Sequence, residues 1–130
     1  MKKRFLPVLL ALCLVLAGCQ TEKKASAAYE QIDAEAAQTM MQEQSDAVVL
    51  DVREQDEYDS GHIPGAVLLS LGTIDAETAG GVIPDKDTTV LVYCRSGNRS
   101  KQAAEKLAAL GYTAIYEFGG IRDWPYDIEK

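Results

Sequence analysis

The chain has 130 residues, of which 47% are hydrophobic and 25% are charged. This length is enough for one domain with one core but not for two, and the composition is that of a globular protein rather than a disordered one. The formal net charge of -7 argues against nucleic acid as a partner.

The first 18 residues differ from the rest of the chain. A basic head with Lys2, Lys3 and Arg4 precedes the apolar run LPVLLALCLVLA, and small residues follow it. This layout predicts a secretory signal peptide over residues 1–18, because the apolar run is too short to span a membrane comfortably. Removal of this segment would change the net charge from -7 to -10, which leaves a strongly acidic body.

The segment LAGC at residues 16–19 resembles the lipobox of bacterial lipoproteins. The resemblance implies that Cys19 is acylated, for example with palmitate, after the signal peptide is removed. Residues 19–28 are then a lipidated tether of mostly polar and small residues, and residues 29–130 form the folded domain. The expected location is the extracytoplasmic face of a cell membrane, with the lipid anchor as the only membrane contact.

The body of the chain alternates between helical and strand patterns. Asp33 is suited to cap a helix over residues 34–44, in which apolar side chains share one face. The run AVVLDV at residues 47–52 is typical of a buried parallel strand. The polar segment that follows predicts one or two helical turns closed by Gly61, and AVLL at residues 66–69 predicts a short strand.

The second half of the chain continues this alternation. Residues 73–79 are expected to be helical, and TTVLVYC at residues 88–94 is a second buried run. Residues 99–111 predict a helix, because apolar residues recur at helical spacing among strong helix formers and a glycine closes the segment. TAIYEF at residues 113–118 predicts a strand. The alternation indicates an α/β fold with a mainly parallel sheet.

Cys94 stands where the second buried run meets a loop and the predicted helix after it. Ligands of parallel sheets bind beyond the carboxyl ends of the strands, and the first turn of a helix has N–H groups without intrahelical partners. Gly97 and Asn98 tolerate a left-handed backbone, so the loop can turn N–H groups inward as an anion nest. With Arg99, these groups would lower the pKa of the thiol and hold an anionic substrate. The other two cysteines fall in the signal peptide and at the lipidation site, so Cys94 would be the only free thiol of the mature chain.

Three motifs, in this order, make the chain similar to a single-domain rhodanese. They are LDVREQDEYDSGHIPGAV at residues 50–67, VYCRSGNRS at residues 92–100 and FGGIRDW at residues 118–124. The resemblance covers residues 29–125 and implies a rhodanese-like α/β fold. In this family a mainly parallel sheet of five strands carries helices on both faces.

Rhodaneses are sulfurtransferases, and the resemblance implies an enzyme of the thiosulfate sulfurtransferase type. Cys94 would attack the outer sulfur of thiosulfate or a similar small anionic donor, and the resulting persulfide would pass its sulfur to a thiol or to cyanide. The resemblance implies no metal and no organic cofactor. Arg99 matches the arginine of the family pattern Cys-x-x-Gly-x-Arg and would hold the oxyanion of the donor. Six residues would offer backbone N–H groups to the sulfur, namely Arg95, Ser96, Gly97, Asn98, Arg99 and Ser100.

Other residues of the three motifs have supporting roles in this interpretation. Asp51 and Arg53 would form a partly buried pair that supports the loop. His62, the only histidine, would belong to a tight turn with its ring bonded to the backbone rather than act as a base. Residues 119–121 would pass near the mouth of the pocket, and Trp124 would anchor the core.

Three other functions are compatible with a reactive cysteine in this position. Phosphatases and arsenate reductases of related fold have an arginine six positions after the cysteine, whereas Arg99 lies five positions after Cys94, and the tighter ring suits a sulfur atom better than a phosphate. A non-catalytic binding module would usually lack the cysteine. An extracytoplasmic sulfur carrier or thiol-redox partner protein is the main alternative, although no second cysteine is available to resolve a disulfide within the chain.

Overall fold

The computed structural model describes residues 28–130, which form one five-stranded sheet with helices packed against it. The strands are Glu30–Gln31 (β1), Val48–Asp51 (β2), Val67–Leu68 (β3), Thr89–Cys94 (β4) and Ala114–Gly120 (β5). The helices are Ala34–Glu43 (α1), Gln55–Ser60 (α2), Ala76–Val82 (α3) and Asn98–Ala109 (α4), with 3-10 turns at Leu71–Thr73 and Ile121–Asp123.

The sheet has the strand order β1-β5-β4-β2-β3, and all neighbouring strands are parallel. The two apolar runs of the sequence form β2 and β4 next to each other, because strands rich in valine and leucine are suited to burial on both faces. The register between β4 and β5 shifts between Val92 and Cys94, and Cys94 pairs with Gly120. The predicted α/β fold with a five-stranded parallel sheet is therefore confirmed, and Cys94 lies at the carboxyl end of its central strand.

Helices cover both faces of the sheet. On one face Val92 and Cys94 of β4 pack in a cluster with Leu107 of α4, to which α3 also contributes. On the other face Leu91 packs in a cluster with Ala37 of α1, and α2 packs against the same cluster. Successive residues of a strand point to opposite faces. Cys94 therefore shares the face of the sheet that α4 covers.

Most of the predicted elements are present, with shifted boundaries. Asp33 caps α1 as predicted, since its Oδ1 accepts the N–H of Ala36 at 2.8 Å. α4 begins at Asn98, earlier than predicted, because Gly97 has a positive φ of 106° and turns the chain into the helix. α3 begins later than predicted, after a 3-10 turn. β1 has no counterpart among the elements predicted from the sequence.

The predictions for the N-terminal segment lie outside the described residues. They are the signal peptide over residues 1–18, the lipidation of Cys19 and nearly all of the tether over residues 19–28. Between residues 28 and 130, no helix has both the length and the apolar character required to cross a bilayer.

Candidate active site

Cys94 is the last residue of β4 and is only 1% exposed. The residue also belongs to the apolar cluster under α4. Its Sγ accepts the backbone N–H of Gly97 at 3.0 Å and lies 3.4 Å from the Oγ of Ser100. The sulfur therefore contacts the polar groups of the loop that closes over the end of the strand.

The loop lowers the pKa of Cys94 below the ordinary value of 9.0. Burial acts in the opposite direction and raises the pKa, but hydrogen bonds from the Ser100 side chain and from the N–H groups of Ser100, Gly97 and Ser96 outweigh it. Of the six predicted N–H groups, that of Gly97 donates to the sulfur at 3.0 Å, and those of Ser96 and Ser100 also lower the pKa of Cys94. The arrangement favours a thiolate at the strand end.

Two glycines allow the loop to close against β5. Gly97 has a positive φ, which other residues adopt only with strain. Gly120 lies so close to the backbone carbonyl of Arg95 that a Cβ at this position would overlap it. The N–H of Arg122 donates to the same carbonyl at 3.2 Å. The end of β5 therefore holds the loop down on the residue that follows Cys94.

Arg99 extends from the first turn of α4 to Glu57 of α2. Its Nη1 and Nη2 donate to the two carboxylate oxygens of Glu57 at 2.7 and 2.9 Å, a bidentate pair. These hydrogen bonds outweigh burial and lower the pKa of Glu57 to about 2. The hydrogen bonds with Glu57 are the main cause of the raised pKa of Arg99, and the negative charge of a Cys94 thiolate contributes to it. The role of Arg99 in donor binding stays a prediction, and its partner Glu57 was not predicted.

Asp51 and Arg53 form an ion pair that is more deeply buried than we expected, at 0% and 5% exposure. Arg53 Nη2 lies 2.7 Å from Asp51 Oδ2 and also donates to the carbonyl of Gly61 at 2.7 Å. The hydroxyl of Tyr93 donates to the same Asp51 oxygen at 2.6 Å. Since Tyr93 directly precedes Cys94, this buried network fixes the end of β4.

His62 and Trp124 have the structural surroundings that the sequence predicts. The Nδ1 of His62 lies 2.9 Å from the carbonyl oxygen of Tyr58, and its ring stacks on the ring of Tyr58. Its Nε2 lies 3.2 Å from a carboxylate oxygen of Glu129. Trp124 is buried beside Phe118 in the cluster that faces α1.

A cleft of about 400 Å³ opens beside the Cys94 loop. Three arginines and two carboxylates line this cleft with Ser60 and Ile121; the charged residues are Arg53, Arg95, Arg122, Asp56 and Glu57. Arg95 is exposed, and Ile121 lies at the cleft as predicted. A cavity of about 460 Å³ lies elsewhere, between α1 and residues 124–127, and is lined by no residue of the Cys94 loop.

Comparisons with known proteins agree with this arrangement. The chain is 40% identical over 74 residues to the thiosulfate sulfurtransferase PspE of Escherichia coli (strain K12), covering 57% of this chain and 70% of that protein. It is 36% identical over 77 residues to YrkF of Bacillus subtilis (strain 168), which is described as a candidate sulfur carrier protein and of which the match covers 40%. A solved structure described as a rhodanese with anions from E. coli superposes with a TM-score of 0.61 at 36% identity, covering 65% of this chain and 98% of that one.

These similarities confirm the predicted enzyme of the thiosulfate sulfurtransferase type. Residues 33–126 match the family described as rhodanese-like domain. Because this match spans well over half of the sequence, the chain belongs to the family of rhodanese-like domains.

Proposed function

We propose that the chain moves a sulfane sulfur from thiosulfate or a similar small anionic donor to a thiol or to cyanide, through a persulfide on Cys94. The observation that carries the proposal is the environment of the Sγ, which accepts the Gly97 N–H at 3.0 Å and whose pKa is lowered by its hydrogen bonds. The thiolate is the nucleophilic form of cysteine. A site that stabilises it at the end of a central strand is suited to covalent catalysis.

The proposed reaction has two half-reactions. In the first, the Cys94 thiolate attacks the outer sulfur of thiosulfate, a new S–S bond forms, the S–S bond of the donor breaks, and sulfite leaves with the electron pair. In the second, a thiolate or cyanide attacks the outer sulfur of the persulfide, and the Cys94 sulfur leaves with the electron pair. The N–H groups of the loop stabilise the negative charge of the sulfur before the first step and after the second.

Donor binding is assigned to the positive groups around the loop. Arg99 lies within electrostatic range of the sulfur, and the exposed Arg95 and Arg122 line the adjacent cleft. In an otherwise acidic protein these residues attract a small anion to this one edge of the sheet.

Mass spectrometry of the intact protein after treatment with thiosulfate tests the proposal. We expect the mass to increase by one sulfur atom and to return to its original value after addition of cyanide. Cys94→Ser should show no increase, whereas the exposed Glu43→Gln, which removes a charge from the end of α1, should behave as the wild type. A wild-type protein that gains no sulfur but hydrolyses an aryl phosphate would refute the proposal and favour the phosphatase alternative.

A sulfur carrier or thiol-redox partner is the second candidate. The similarity to the candidate sulfur carrier of Bacillus subtilis favours it, and Cys94 is the sole cysteine of the described residues, so the sulfur would have to pass to another molecule. Rates of sulfur transfer from the persulfide to cyanide and to a dithiol distinguish the two roles. A carrier is expected to discharge to the dithiol much faster than to cyanide.

The N-terminal sequence supports a location for this activity. The basic head, the apolar run and the LAGC segment at residues 16–19 favour an anchor on Cys19 at the extracytoplasmic face of a membrane. Cells that express the full chain and are fed a labelled fatty acid should incorporate the label into the wild type but not into Cys19→Ser. Equal labelling of both proteins would refute the anchor.

A further inference from the structure

Glu117 is a buried carboxylate next to the reactive loop that the proposed reaction does not use. It lies in β5 and is only 2% exposed. Its Oε2 is 2.6 Å from the Oγ of Ser100 and accepts the N–H of Gly119 at 2.7 Å. Ser100 is fully buried, and its Oγ is the atom that lies 3.4 Å from the Sγ of Cys94. A thiol, a hydroxyl and a carboxylate thus form one buried chain of hydrogen bonds.

The hydroxyl of Ser100 has a single proton and several acceptors within reach. The acceptors are Glu117 Oε2 at 2.6 Å, the carbonyl oxygens of Gly97 and Gly119 at 3.0 and 3.3 Å, and the sulfur at 3.4 Å. The shortest of these contacts is to the carboxylate, and a hydrogen bond to an ionised acceptor is the strongest kind. While Cys94 is protonated, the hydroxyl therefore donates to Glu117, and the thiol of Cys94 donates to the hydroxyl oxygen.

Whether the Ser100 hydroxyl can donate a hydrogen bond to the thiolate therefore depends on Glu117. The hydroxyl has one proton, so it donates to the sulfur only when it no longer donates to the carboxylate. In addition, a thiolate and an ionised carboxylate on the two sides of one hydroxyl place like charges close together in a buried space, which disfavours ionisation of the second group. Cys94 and Glu117 therefore compete for one negative charge.

Other ionisable groups face the pair from the neighbouring elements. Arg99 approaches from α4 and is held by Glu57 of α2. Tyr29, just before β1, has a pKa that is raised by burial and by the nearby charges of Glu105 and Glu117. These groups set the common electrostatic background of the pair, and a change confined to Glu117 leaves them in place.

We propose that Glu117 is a positioning residue that controls, through Ser100, when Cys94 carries the negative charge. The S–H bond of Cys94 breaks as its proton passes to the Oγ of Ser100, and the original proton of Ser100 passes to the Oε2 of Glu117. The charge moves from the carboxylate to the sulfur, and no proton leaves the buried unit. The thiolate then attacks the donor, and when the Cys94 sulfur is released from the persulfide the two protons return along the same route.

This consequence for catalysis depends on the proposed sulfur transfer, but the coupling of the two groups is measurable without any sulfur donor. The ultraviolet absorbance of the thiolate is followed against pH in the wild type, in Glu117→Gln and in Glu43→Gln. The glutamine side chain in Glu117→Gln keeps the size of glutamate and an oxygen suited to accept from Gly119, but it has no charge that competes with the thiolate. We expect thiolate formation in Glu117→Gln to be complete at a pH about one unit or more lower than in the wild type. Glu43→Gln should titrate as the wild type. Identical midpoints in wild type and Glu117→Gln would overturn the proposal.

A second measurement uses the wild type alone, so it does not depend on the folding of the variant. The side-chain carboxyl signal of Glu117 is followed by NMR over the same pH range. Coupled groups sense each other's titration, so we expect an inflection of this signal at the pH at which the thiolate forms. A carboxyl signal with a single inflection, far from that pH, would contradict the coupling.

The rate of persulfide formation with thiosulfate then tests the catalytic consequence. The pH profile of this rate in Glu117→Gln should move together with its thiolate titration, whereas a merely structural role would lower the rate by one constant factor at every pH. If the titration shifts but neither protein gains sulfur from any donor, the coupling stands and the proposed sulfur transfer fails.

Discussion

Replacing Glu57 with glutamine tests the ion pair that joins α2 to the first turn of α4. The carboxylate of Glu57 accepts two hydrogen bonds from the guanidinium of Arg99 at 2.7 and 2.9 Å. Glutamine has nearly the same size but only one oxygen and no charge, so the bidentate geometry is lost. We expect the free energy of unfolding to fall while the fold is retained.

The magnitude follows from the pKa of Glu57, which the pair lowers from 4.5 to about 2. Each pKa unit corresponds to about 1.4 kcal/mol, so a fully shielded pair would contribute about 3 kcal/mol. The two side chains are 30% and 26% exposed, and solvent screens them. We therefore expect Glu57→Gln to lower the free energy of unfolding by about 1 kcal/mol at neutral pH.

The pH dependence of this difference identifies its cause. The folded-state pKa of Glu57 lies below its unfolded value, so the stabilisation is fully present above about pH 4.5 and is lost as the pH falls to about 2. Urea denaturation at several pH values should show a difference between wild type and Glu57→Gln that vanishes near pH 2. Glu43→Gln serves as the control, with an effect within about 0.5 kcal/mol. A difference that stays constant from neutral pH to about pH 2 would refute the electrostatic reasoning.

Two more substitutions are tested by urea denaturation. The first concerns the close contact of Gly120 with the Arg95 carbonyl, and the second concerns the buried network of Asp51, Arg53 and Tyr93. Gly120→Ala should lower the free energy of unfolding by about 2 kcal/mol or more and slow persulfide formation, because the new Cβ would overlap the carbonyl of Arg95. The control is Gly80→Ala, at a helical position with open space, which should raise the free energy of unfolding by up to about 1 kcal/mol. Equal changes in the free energy of unfolding at Gly120 and Gly80 would contradict the role of the Gly120 contact. Asp51→Asn should cost about 3–5 kcal/mol, since it leaves the buried guanidinium of Arg53 without a counter-charge. Adding Arg53→Met to Asp51→Asn should restore part of the lost free energy of unfolding. An Asp51→Asn protein that is as stable as the wild type would argue against a buried ion pair.

The central part of the fold is predictable because the apolar pattern of each segment indicates which of its faces are buried. The runs that became β2 and β4 are apolar along nearly their whole length, and the alanine-rich pattern of α4 allows only one buried face. β1 could not be predicted in this way. Glu30 and Gln31 are exposed polar residues, and their strand conformation follows from pairing with Tyr116 and Glu117 of β5 rather than from their own preference.

In the candidate site, too, local sequence features identified some residues, whereas others are brought together only by the fold. Cys94 and its loop were found from local features, namely a strand end, glycine and the start of a helix. Glu57 contacts Arg99 only because α2 and α4 both begin at the edge of the sheet where β2 and β4 end, and the two residues are 42 positions apart in the sequence. Glu117 had one local signal, since a carboxylate in the otherwise apolar end of a buried strand requires a polar partner. That signal does not reveal that the partner is Ser100.

The parallel pairing of β1 has a practical consequence for handling this protein. Glu30 pairs with Tyr116, which pairs with Leu91, so the chain enters the sheet three residues before the level of Cys94. At about 3.3 Å per residue, this point is about 10 Å back from the sulfur, toward the amino-terminal end of the strands. An affinity tag or a solid support joined ahead of residue 28 therefore leaves the Cys94 loop open to reagents. Attachment after Lys130 would instead place the added group next to Glu129, which pairs with His62. His62 follows Gly61, whose carbonyl accepts a hydrogen bond from Arg53.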